Sequence, residues 1–342
     1  MGGIDISTTI KDVARHTGLS ISTISKYLNG GNVLPDNRRN IEAAIHELGF
    51  KVNEIARGLK TSRTMTVGVL IPSLENIFFT SIVSNIENVL LNNRYGVILC
   101  DYRQDKRLEI EKLNFLVDKM VDGIVMVPQG VSNEHIMPVV KAGIPLVFID
   151  RVIKGIDCDA VLADNAEASF KAVEQLIIRG HRRIGIICGP REIFTTEERL
   201  RGYIAAFEHY GLMVDRDLIK FGNYQVDGGH RLLLELLDSD SAPTAVFVTN
   251  YEMTLGAIMA VNERNIRIPR DLSLIGFDNL EMARIVKPSL SIVAQPIQQI
   301  GETAARILLD RIKNGPGSPQ VHRLKADVLI NESLSYISRE ES

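Results

Sequence analysis

The chain has 342 residues, 45% of them hydrophobic and 24% charged, with a formal net charge of −3. That length predicts two or three domains, and the composition is that of an ordinary soluble globular protein. No apolar run approaches the ~20 residues that cross a bilayer, the N-terminus MGGIDISTTIKDV shows no secretory pattern, and the three cysteines, Cys100, Cys158 and Cys188, are too isolated for a zinc site or a disulfide framework. A cytoplasmic protein with no membrane association is expected.

Charge is unevenly placed. Residues 1–64 carry nine Lys/Arg against six Asp/Glu, while the remainder is acidic. A basic head on an acidic body is the asymmetry of a nucleic-acid module joined to something else. In TIKDVARHTG, Thr9 is an N-cap with Asp12 three residues on, and Ile10, Val13 and Ala14 share one face. Gly18 supplies a turn, Ser20 caps a second helix with Ile24 and Leu28 inward, and a third helix follows PDNRR with Ile41, Ile45 and Leu48 in register. Three short amphipathic helices with a glycine turn between the first two make a helix-turn-helix bundle.

From Thr66 the pattern changes. TVGVLIP, YGVILCDY, VDGIVMVP, IPLVFIDR, RIGIICGP, PTAVFVTN and LSLIGFDN are continuous apolar runs separated by helix-length segments. Such alternation predicts parallel sheets with right-handed crossovers. The series is long enough for two sheets, the first over roughly 66–160 and the second over roughly 161–290. A late helical segment, a turn-rich NGPGSPQ and a last strand, HRLKADVLI, follow.

Nucleotide and hydrolase signatures are missing: SLENIFF stands where GxGxxG would follow the first strand, and no GxxxxGK[ST], GxSxG or HExxH occurs. No catalytic residue, metal site or cofactor is therefore expected. The strand ends carry Asp101, Asp150, Arg151, Asn250 and Asp278. Each side chain could cap the following helix. Together, at the carboxyl ends of two parallel sheets, they favour a cleft for a polar ligand. Phe78, Phe79 and Tyr224 also follow strand ends and could stack on a ring or pack in the core.

Taken in order, TIKDVARHTGLSISTISKYLNG, NEIARGLKTSRTMTVGVLIP, RGHRRIGIICGP, ERLRGY, PTAVFVTN, IPRDLSLIGFDN and SIVAQPIQQIG resemble the LacI/GalR family of bacterial transcription regulators, over about residues 8–330. The resemblance implies an α/β chain: a helix-turn-helix three-helix head over 1–52, a hinge helix and linker over 53–65, and an effector-binding and dimerisation domain over 66–342. The last is two-lobed and periplasmic-binding-protein-like (type I), with an N-lobe of about 66–161 and 293–321 and a C-lobe of about 162–292 and 322–335. It further implies a homodimer reading a near-palindromic double-stranded DNA operator. Ile21 and Ser22 fall where the family reads major-groove base edges, with Thr9, Ser20, Thr23, Ser25, Lys26 and Asn29 nearby. Small hydroxyl side chains let the helix backbone approach the duplex closely. Lys26 stands where the family usually has Arg, which softens base preference there.

In the hinge, the resemblance assigns DNA contacts to Asn53, Ala56, Arg57, Leu59 and Lys60, with Leu59 as the wedge at the central minor-groove step. Val52 replaces the usual proline and Gly58 interrupts the helix. The effector positions fall on Phe78, Asp101, Asp150, Thr195, Arg199, Tyr224, Asn250, Asp278 and Gln295, with Arg199 and Asp278 foremost. Tyr251 departs from the acid that commonly follows this Asn. The expected function is a repressor of carbohydrate genes whose operator binding responds to a small sugar, sugar acid or sugar phosphate. A phosphorylated protein co-regulator is a further partner the family admits. The alternatives are a cytoplasmic sugar-binding protein, or a sugar-acting enzyme carrying a regulatory head.

Overall fold

The computed structural model describes residues 8–28, 31–50, 63–130, 134–278 and 280–337. Asn29, Val52 and the hinge positions Asn53, Ala56, Arg57, Gly58, Leu59 and Lys60 lie outside them. The described chain divides into two compact units, up to Thr64 and from Met65.

In the first unit, α1 (Ile10–Thr17), α2 (Ile21–Leu28) and α3 (Pro35–Glu47) surround Val13, Ile24, Ile41 and Ala44, all essentially without exposure. Asp12 draws the Thr9 backbone N–H at 2.9 Å and its hydroxyl at 2.6 Å, fastening the start of α1. Gly18 ends that helix at φ +68, a left-handed conformation in which a Cβ would be strained. The third helix begins earlier than PDNRR predicts. Pro35 is its first residue, where a missing N–H costs nothing, so PDNRR forms the first turn.

The second unit holds two six-stranded sheets. The first contains β1 (Thr66–Ile71), β2 (Gly96–Asp101), β3 (Gly123–Met126), β4 (Leu146–Ile149), β5 (Asp159–Ala163) and β11 (Val321–Leu324), in the order β11-β5-β4-β3-β1-β2, all parallel. The second contains β6 (Ile184–Cys188), β7 (Ile219–Phe221), β8 (Ala245–Val248), β9 (Ser273–Phe277), β10 (Ser291–Ala294) and β12 (Asp327–Leu329), in the order β12-β10-β9-β8-β6-β7. Only β12 runs antiparallel to its neighbour. The central strands are buried on both faces, as continuous β-branched runs require. The first lobe also carries α4 (Ile77–Asn92), α5 (Lys106–Asp118), α6 (Met137–Lys141) and α12 (Ile297–Asn314); the second carries α7 (Asn165–Ile177), α8 (Phe194–His209), α9 (Val226–Leu237), α10 (Tyr251–Glu263) and α11 (Leu280–Ile285).

The chain therefore passes between lobes three times, at 164, at 295–296 and at 325–326. These crossings correct the expected breaks at 161/162, 292/293 and 321/322. HRLKADVLI, expected as one strand, is two: β11 pairs with β5 and β12 with β10. A bidentate ion pair from Arg311 to Asp159, at 2.7 and 2.9 Å, anchors α12 to β5. Helices α7 and α8 approach closely at Gly202, where a Cβ would stand 2.1 Å from the Ala166 carbonyl oxygen.

The C-terminal segment is sewn to the second lobe. Ser333 donates from Oγ to the Leu274 carbonyl at 2.6 Å, and the Ile337 N–H donates to the Arg179 carbonyl. His181, buried beneath it, lies 2.9 Å from Thr244 Oγ1 and 3.2 Å from the Ser335 carbonyl. Burial lowers its pKa from 6.5 to about 4, the Ser335 carbonyl opposing and Arg179 and Arg182 adding to the fall. The fold thus holds neutral imidazole. Its contribution is complete above pH 6.5 and is lost as pH falls toward about 4. In thermal unfolding across this range, His181→Asn should be less stable than the parent near neutrality, with the difference shrinking as pH drops. A pH-independent difference would contradict the assignment.

Candidate functional site

On the head, α2 turns Ile24 into the core and leaves Ile21, 45% exposed, with Ser22 and Lys26 on the surface; Thr23 and Ser25 are half-buried. Ser20 caps the helix, accepting the Thr23 N–H at 3.2 Å, and its hydroxyl lies 2.8 Å from those of Ser22 and Thr23. The exposed side of α2 thus presents an apolar side chain and a hydroxyl cluster at its start and an ammonium in its last turn. That combination suits a thymine methyl, base edges and phosphates.

In the two-lobed unit, the carboxyl ends of both sheets open onto one cavity, about 720 Å³ with its mouth included. Eight of the nine expected effector positions line it: Phe78, Asp150, Thr195, Arg199, Tyr224, Asn250, Asp278 and Gln295. Asp101 does not. It ends β2, the edge strand, and its carboxylate accepts the N–H groups of Leu74 (3.4 Å) and Arg103 (2.7 Å), which makes it a turn residue. Both its strand-end place and the family resemblance pointed to it, neither of which registers its position at the sheet edge.

The buried charges are held by specific partners. Arg151 Nε donates to Asp150 at 2.9 Å, and both residues are buried. Arg199 lies over the Phe277 ring, 3.9 Å from its centroid, and donates from Nε to Asn165 at 2.8 Å and from Nη1 to the Thr249 carbonyl. Nε and Nη1 thus go to these groups, while its charge still acts on Asp278. Asp278 accepts Gln295 Nε2 at 3.1 and 3.0 Å, which fixes the amide and leaves the buried Gln295 Oε1 without a partner among the described residues. Burial pushes Asp278 up to about 6; Arg199 and Gln295 oppose this, and the charge of Asp150 adds to it. Glu252 is pushed up to about 7, by burial first and by Asp278 further, and accepts Asn250 Nδ2 at 2.8 Å.

Asp150, Tyr224 and Asp278 all have left-handed backbones, φ +68, +62 and +59. For a tyrosine this is costly and persists only where the surroundings impose it. Here they do. The ring lies so close to Gly189 that a Cβ there would sit 2.1 Å from Tyr224 Cζ, and the hydroxyl bonds Thr195 (3.1 Å) and Thr196 (2.7 Å).

Sequence reasoning overlooked Glu252, Gln104 and Gln129 as cavity residues. The signal for Glu252 was present: in NYEM, Asn250 is the N-cap, so the acid missing from position 251 reappears one residue later, in the first turn of α10. Gln104 and Gln129 carry no comparable mark.

A family model described as "Bacterial regulatory proteins, lacI family" matches residues 9–53, and a "Periplasmic binding protein-like domain" matches residues 173–334. Catabolite control protein A of Priestia megaterium is 36% identical over 89% of this chain and 92% of its own. The repressor PurR of Proteus mirabilis is 34% identical over 90% and 91%. A solved complex of the transcriptional regulator CelR with cellobiose superposes with a TM-score of 0.73 at 29% identity, covering 95% of this chain and 99% of its own.

The raised pKa of Asp278 has a direct consequence. The fold favours its neutral form, so ionisation costs stability as pH rises through about 6. Asp278→Asn should stabilise the ligand-free protein near pH 7.5, on the order of 1–3 kcal/mol, with the gain fading toward pH 5. Denaturant melts at the two pH values measure this, and an equal gain at both would contradict it.

Proposed function

Since the chain belongs to the LacI family of bacterial regulatory proteins and is a sequence-specific DNA-binding repressor, we propose that α2 reads the operator and that the cavity takes the effector that controls it. In this reading Ile21, Ser22 and Lys26 meet the major groove, supported by Thr9, Ser20, Thr23, Ser25 and Asn29. Residues 53–65 form the hinge, with Asn53, Ala56, Arg57, Leu59 and Lys60 on the minor groove. Two copies of the chain bind a near-palindromic operator. The duplex repeat of about 34–36 Å makes head spacing decisive.

The observation that carries the effector assignment is the convergence of eight expected residues from both sheets on one cavity. Its chemistry supports a neutral, hydroxyl-rich sugar over a sugar acid or phosphate. Arg151 is paired through Nε with Asp150, Arg199 has Nε and Nη1 on protein acceptors, and three acids, Asp150, Glu252 and Asp278, line the same cavity and disfavour an anion. Asp278, Glu252 and the unpaired Gln295 Oε1 are instead acceptors that suit sugar hydroxyls. The cellobiose seen with the CelR relative is a ligand of that type. A phosphorylated protein co-regulator forms no part of this reading, which needs only chain, operator and effector.

Thermal-shift measurements with neutral sugars, sugar acids and sugar phosphates test it. A neutral sugar should raise the melting temperature, a ligand at 100 times its Kd contributing about 2.7 kcal/mol, and Arg199→Ala should abolish the shift. A shift that survives the substitution undiminished would place the ligand elsewhere.

A further inference from the structure

The first turns of α8 belong to the second lobe yet touch the first. Phe194 packs against the first-lobe core that contains Leu70, Tyr102 and Phe148. Ile193 Cδ1 comes within 3.1 Å of where a Cβ on Gly130 would lie. One turn further, the Glu198 carboxylate is buried, 3% exposed, between two arginines. Arg201 comes from its own helix. Arg323 comes from β11 in the first sheet, its Nη1 2.8 Å from Glu198 Oε2 and its guanidinium 6.0 Å from the centroid of Phe194.

Arg323 stands two residues before the third crossing. The next residue of α8 after Glu198 is Arg199, which donates to Asn165 beside the first crossing. Consecutive residues of one helix thus tie down two of the three strands on which the lobes pivot, while Thr195 and Arg199 of the same helix line the cavity.

We propose that Glu198 and Arg323 are positioning residues, an inter-lobe clasp holding α8 at the closure angle in which Thr195 and Arg199 face the first-lobe groups Asp150 and Arg151. Separating the lobes breaks a charge-assisted hydrogen bond and uncovers Phe194. With Arg323 gone, a carboxylate buried in the closed form keeps a single cationic partner, and opening lets water reach it. The balance between open and closed lobes then shifts toward open whatever occupies the cavity, so the clasp stands or falls independently of the sugar assignment.

The test uses the full-length chain with spin labels on Glu111→Cys in the first lobe and Met213→Cys in the second, positions 67% and 93% exposed. Cys158→Ser removes the half-buried native thiol, and excess unlabelled chain confines the readout to distances within one chain. Double electron–electron resonance of the ligand-free protein should give one narrow distribution. Arg323→Ala should shift it to longer distance and broaden it, Glu198→Gln should do the same, and the double variant should go no further than either single, as one shared interaction requires. Arg323→Lys, which keeps the charge, should largely restore the parent distribution. Arg323 is half-exposed, so its replacement alone carries the test if Glu198→Gln fails to fold. A distribution for Arg323→Ala that superimposes on the parent, or effects that add in the double variant, would overturn the clasp.

Discussion

Everything in the larger unit depends on the chain passing three times between two separately packed sheets. Each crossing lies beside a polar group held from the cavity or its flank: Arg199 on Asn165 at the first, Asp278 on Gln295 at the second, Glu198 on Arg323 at the third. The pivots and the cavity wall therefore share Arg199, Asp278 and Gln295. A molecule that hydrogen-bonds Asp278 or Arg199 would touch groups that also restrain the pivot strands.

This arrangement is maintained at the expense of local stability. Two acids, Asp278 and Glu252, are held where burial and a neighbouring carboxylate, Asp150 for the first and Asp278 for the second, disfavour their charge. Gln295 Oε1 is buried with no donor among the described residues, and three cavity residues occupy left-handed backbone conformations. The extensive cores on the flanks of each sheet tolerate these costs. Strain and unsatisfied polarity concentrated at one place are what a preorganised site looks like before its ligand arrives.

Much of this was legible in the sequence, because strands buried on both faces read as unbroken apolar runs and the site rule for open parallel sheets points to their carboxyl ends. What escaped did so for physical reasons. HRLKADVLI contains no Gly or Pro, so nothing marks Lys325–Ala326 as the step from one sheet to the other. IKF is only three residues long, and DAVLA lies next to polar segments. Asp101 looks like Asp150 in sequence, and its place on an edge strand, which sequence does not mark, sets it apart. Ile21 was the reverse case: an isoleucine at the start of a serine-rich helix is readable as a surface residue because Ile24 and Leu28 already supply the buried face.

On this reading, filling the cavity and gripping DNA are one coupled equilibrium. Fluorescence anisotropy of a labelled operator fragment, titrated with the full chain with and without a saturating sugar, measures the factor by which the sugar changes operator affinity. Calorimetry of the same sugar, with and without operator, measures the reciprocal factor. The account predicts that the two agree, on the order of 5–150-fold. A sugar whose binding requires Arg199, yet leaves operator affinity unchanged, would contradict it.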